Sequence, residues 1–115
     1  MIMDQCVARK DTFYRQLHAA ETPQEFMTVM LGVMECLDWW RSEGYCYKGA
    51  EIARDAYYYM ASAIDALGSR QWAKKREFEL VQDLAYRIRV KYEMAQMDYR
   101  QNQVREYEAA TLVQI

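Results

Sequence analysis

Four carboxylates are spaced for metal chemistry. Glu35 and Asp38 stand three residues apart, and Glu51 and Asp55 four apart, so on helices each pair shares a face. Two such faces opposed across a helix interface would hold magnesium through oxygen ligands. The plainer reading is a solvated polar stripe on a crowded helix, and it carries more weight. Cys6, His18, Cys36 and Cys46 have the ligand types of zinc, but structural zinc sites pair their ligands two to four residues apart and none of these is so paired. Buried, unreactive cysteines are the expectation. One histidine supports no Ser-His-Asp arrangement, and four isolated glycines make no phosphate-binding loop. No metal, cofactor or catalytic residue is expected.

Basic residues suggest nucleic acid. Arg70, Lys74, Lys75 and Arg76 cluster, and Arg87, Arg89 and Lys91 follow among Tyr86 and Tyr92. Arginine and tyrosine together track phosphates and stack on bases. Glu77, Glu79, Asp83 and Glu93 dilute this stripe, and the isoelectric point is about 5.4. A solvated helix flank explains the pattern better. Nucleic-acid contact through Arg70, Lys74, Lys75, Arg87, Arg89 and Lys91 stands as the alternative.

The elements that position these groups are helical. The chain has 115 residues, 52% of them hydrophobic and 28% charged, with four Gly and one Pro. This is enough for one core without disulfides or metals, and too few turn formers for a β-protein. A net charge of −2 argues against a strongly electrostatic partner. An odd, scattered set of three cysteines fits a reducing compartment. Charges interrupt both the N-terminus and the most apolar run, Phe26 to Trp40, so neither a leader nor a membrane span is read, and a cytoplasmic location is expected.

Four helices are predicted, near 5–20, 23–43, 47–67 and 70–108, with a frayed tail at 109–115. Thr22-Pro23-Gln24-Glu25 supplies an N-cap, a proline in the first turn and a capping-box glutamate. The run behind it is apolar nearly all round, as suits a central helix. Gly44 is the expected stop, and Gly68-Ser69 the tight link that makes helices three and four antiparallel.

Two stretches resemble known families. Glu35-x-x-Asp38 is similar to one half of the paired motifs of the all-α nucleotide pyrophosphatases, which would imply magnesium-dependent hydrolysis. The spacing of Glu51 and Asp55 departs from the other half, and no lysine-rich substrate motif accompanies them. Trp40, Gly44, Tyr47, Ala56 and Ala63 resemble a tetratricopeptide repeat, with Glu43, Met60 and Gly68 where that repeat has leucine, an aromatic and proline. The pattern does not recur, whereas solenoids need several repeats. It is read as a helix hairpin. A true repeat would instead carry helix two through Gly44.

The last helix is the most informative. Phe78, Val81, Ala85, Ile88, Tyr92, Ala95 and Tyr99 recur at spacings of three and four, a coiled-coil-like seam that Asn102 continues. About 39 helical residues span roughly 60 Å, while the other helices reach about 25–30 Å. The seam is therefore expected to run past its own bundle and to need a cover. The preferred expectation is a small, non-enzymatic protein–protein interaction protein: an adaptor, chaperone or inhibitor of a host protein, of the kind that phages and mobile elements carry. It is expected to form a homodimer, with Phe78, Val81, Ile88, Tyr92, Ala95 and Tyr99 at the contact.

Overall fold

The computed structural model describes residues 12–67 and 75–113. Among them are four helices and no strand: α1 over residues 12–19, α2 over Pro23–Ser42, α3 over Tyr47–Asp65 and α4 over Lys75–Val113. The all-α bundle with one long helix read from the sequence is the fold observed. Residues 5–11 of the first expected helix and 70–74 of the last lie outside the described residues. The C-terminal stretch differs from expectation. α4 continues through Val113, well past residue 108, because no glycine or proline interrupts it.

α2 begins as its sequence dictates. Thr22 Oγ1 accepts from the Glu25 amide at 3.1 Å, and Pro23 occupies the first turn. The Glu25 carboxylate returns the bond one residue early, to the amide of Glu21 at 2.9 Å. The helix then buries Phe26, Met30, Val33, Cys36, Leu37, Trp39 and Trp40. It lies at the centre, with α1, α3 and α4 around it. Phe13 of α1 sits over Gly32, where a β-carbon would come within 3.0 Å of its ring. α3 packs on α2 through Ile52, Ala53, Ala56 and Met60, and its Tyr59 meets Tyr14 of α1.

The turn between α2 and α3 is tightly built. Gly44 and Tyr45 are both left-handed, at φ 69° and 57°. The Tyr45 amide donates to the Trp40 carbonyl at 2.9 Å, closing α2. Trp40 Nε1 donates to the Cys46 carbonyl at 2.9 Å, and Cys46 Sγ caps α3 by accepting from the Gly49 amide at 3.3 Å. The helix therefore breaks at Gly44 instead of continuing through it. The tetratricopeptide-like spacing is that of a helix hairpin, as its lack of recurrence implies.

Contacts along α4 give its direction. Trp40 meets Tyr99, and Asp38 pairs with Lys91, so α2 and α4 run the same way. Tyr57 stacks on Tyr92, while Ile64 neighbours Ala85, so α3 and α4 are antiparallel. The bundle closes near Tyr99, and the molecule measures 63 × 27 × 18 Å.

Candidate functional site

The carboxylates do not converge. Asp38 is ion-paired with Lys91 of α4, Glu51 lies 3.9 Å from Lys48 and Asp55 lies 3.5 Å from Arg54. Among the described residues no three His, Cys, Asp or Glu side chains are grouped to hold a metal ion. Cys6 lies outside the described residues. Cys36 is buried in α2, and Cys46 is taken up in capping α3.

The basic residues are also dispersed. Arg70 and Lys74 lie outside the described residues, and Lys75 opens α4. Arg87 and Lys91, four apart, face the α2 side, whereas Arg89 lies on the other flank beside Tyr57 and bonds Glu93 at 3.1 Å. A 200° step along the helix separates Arg87 from Arg89, so the three do not form one phosphate track.

The seam of α4 comes together, but inside the molecule. Val81, Ile88 and Ala95 are buried, and Phe78, Ala85, Tyr92 and Tyr99 are packed against the core. Tyr92 stacks on Tyr57 with ring centroids 4.3 Å apart and planes 1° from parallel. Tyr99 tilts against Trp40 at 5.3 Å. The expectation that Tyr92, Ala95 and Tyr99 lie bare beyond the bundle is therefore corrected. α2 and its turn reach as far as Tyr99, so these residues are covered by their own chain.

What remains uncovered lies elsewhere on α4. Residues 103–111 are exposed without exception, and here the helix stands clear as an arm. Val104 and Tyr107 are 55% and 74% exposed. A second stripe, the outer one, runs into it: Val90 and Met94 at a recess beside α2, then Met97, Gln101 and Val104, spaced 4, 3, 4 and 3. Met94 and Met97 are exposed. The sequence contains this second repeat as plainly as the first, and only the aromatic content of the inner one draws attention away from it.

Three tyrosines titrate abnormally. Burial pushes the phenols of Tyr57 and Tyr92 above their ordinary 10.0. Burial does the same for Tyr45, reinforced by the hydrogen bond it donates to Asp98 at 3.0 Å. A raised folded-state value means that the folded chain keeps protons the unfolded chain has already released. The stabilisation is complete below pH 10 and disappears as pH rises through the raised values. Urea midpoints are expected to stay level between about pH 8 and 9.5 and to fall above about pH 10.5, with Tyr57→Phe/Tyr92→Phe flattening the fall. An equal fall in the double variant would assign the alkaline loss to other groups.

No helix among the described residues is long and apolar enough to cross a membrane. Compared with known proteins, the chain matches no family model, no curated protein and no solved structure.

Proposed function

We propose that this chain is a non-enzymatic interaction protein that acts by occupying a protein surface, and that the outer stripe and free arm of α4 are its contact element. One observation carries this reading: α4 outruns its bundle while still bearing large apolar side chains, Met97, Val104 and Tyr107, in water. A solitary helix in water gains little from propensity alone, so an arm of this kind draws stability from packing against something. The free Cys36 and Cys46 suit a reducing, cytoplasmic setting.

The first occupant we propose is a second copy. The arm is charge-balanced along its length, with Arg100 and Arg105 ahead of Glu106 and Glu108. Antiparallel pairing about a twofold axis near Val104 sets Arg100 of one copy opposite Glu108 of the other and buries both valines. Tyr92 and Tyr99 pack inside, so the substitutions that test self-association are at Val104 and Tyr107.

Sedimentation equilibrium of the wild type is expected to give a dimer mass, and Val104→Glu/Tyr107→Glu a folded monomer. A wild type still monomeric at about 100 μM, where a pair with a Kd of about 10 μM is mostly dimeric, overturns self-pairing. A photo-crosslinker at position 107 then decides the wider reading. A specific adduct with another protein, absent when the crosslinker is placed at Arg54, supports hetero-recognition by the arm. No adduct at either position overturns the arm as a contact element.

A further inference from the structure

Six of the eight methionines lie among the described residues. Met30 and Met60 are buried, at 0% and 1% exposure, and Met27 and Met34 are half-buried against the core. Met94 and Met97 are 61% and 60% exposed. They stand three residues apart on α4, about one turn, and both belong to the outer stripe. The thiols are less open. Cys36 is buried, and the half-buried Cys46 keeps its Sγ on the Gly49 amide. The two most accessible sulfur atoms among the described residues are therefore thioethers of the contact element.

Their place in the stripe matters as much as their exposure. Between Val90 and Val104 the stripe holds Met94, Met97 and Gln101, so its apolar content over that stretch is methionine alone. An apolar contact there depends on thioether character. One oxygen on each sulfur turns a flexible apolar side chain into a polar one. Water solvates the new acceptor in the free chain, and the apolar surface of a partner does not.

We propose that Met94 and Met97 form a peroxide-sensitive modification site through which oxidation releases the α4 contact. This inference rests on the outer stripe and arm being the contact element, and adds its regulation. At each methionine a sulfur lone pair attacks one oxygen of hydrogen peroxide. The S–O bond forms, the O–O bond breaks, and the second oxygen leaves as water with both protons. The sulfur is oxidised by two electrons and the peroxide is reduced. The unpaired chain is the form that reacts, since pairing covers the stripe. Sulfoxide reductases, one for each sulfur epimer, return the thioethers at the expense of a dithiol. The core is untouched, because neither side chain belongs to it.

The test oxidises the full chain with dilute hydrogen peroxide at about 1 μM protein, where a pair with a Kd of about 10 μM is mostly apart. Peptide mass spectrometry then follows each methionine. Met94 and Met97 are expected to gain oxygen at least about tenfold faster than Met30 and Met60, with the helical circular dichroism unchanged. Sedimentation equilibrium follows in dithiothreitol, which returns disulfides to thiols and leaves sulfoxides in place. Pairing is expected to weaken about tenfold or more, and to be restored by the two sulfoxide reductases. Should the unoxidised chain be a monomer, the photo-adduct formed from position 107 is the readout, and its yield is expected to fall and recover in the same way. Oxygen uptake spread evenly over the methionines overturns the site. Selective uptake with an undiminished contact overturns the regulation and leaves the contact element standing. A chain that forms neither dimer nor adduct before oxidation overturns the contact element, and this proposal with it.

Discussion

Replacing Trp40 with alanine is expected to cost about 3–5 kcal/mol, measured as the loss in unfolding free energy in urea. This is a large fraction of the total for a domain of such size, where stability commonly lies at about 5–15 kcal/mol. The side chain is fully buried. It touches three elements at once: the α2–α3 turn through Tyr45, α3 through Gly49, and α4 through Tyr99. Its indole N–H also donates to the Cys46 carbonyl, which accepts the Ala50 amide as well, so truncation leaves a cavity and takes away one of that carbonyl's two hydrogen bonds. Trp40→Phe retains most of the ring and is expected to lose only about 1–2 kcal/mol. If alanine costs less than phenylalanine should, Trp40 is not what joins the root of the arm to the bundle.

Gly49→Ala is expected to destabilise by about 1–3 kcal/mol, although alanine is the better helix former by about 1 kcal/mol. A β-carbon at this position would lie 2.5 Å from Trp40 Cδ1 and 3.1 Å from both Trp39 Cζ3 and Cys46 Sγ. The indole cannot swing aside, because its hydrogen bond and two aromatic neighbours fix it. Gly49 is in effect the notch that lets α3 close on α2. Stabilisation by alanine, read from thermal or urea unfolding, would show that the two helices separate without penalty and that the notch does not set their spacing.

These two residues show what the sequence makes legible and what it does not. Thr22-Pro23-Gln24-Glu25 announces the start of α2, and Gly44 its end, because caps and left-handed turns depend on residues close in the chain. The inner seam of α4 is legible as a stripe for the same reason. Its cover is not. Spacing tells which side chains share a face, and what lies against that face depends on how far α2 reaches. Tyr45 and Asp98 are 53 residues apart, and nothing in either neighbourhood forecasts their hydrogen bond. The Asp38–Lys91 pair is similarly remote, and it removes a carboxylate that the sequence offers for magnesium. The function of Gly49 as a notch appears only once two tryptophans stand over it. The outer stripe through Val90, Met94, Met97, Gln101 and Val104 was within reach of the same periodicity argument. It is a weaker signal because methionine, valine and glutamine stand where the inner stripe has aromatics.

The arm also governs how the molecule diffuses. A compact chain of 115 residues has a radius of gyration of about 13 Å, whereas this one has 16.6 Å. Friction rises with such elongation at constant mass, so a monomer elutes from a sizing column early, in the range of heavier globular proteins. Rotation is anisotropic as well: the long axis tumbles more slowly than the molecule spins about it. Helical N–H vectors in α4 lie nearly along that axis, so their transverse relaxation is faster than that of amides in the α2–α3 turn, even where both are equally rigid.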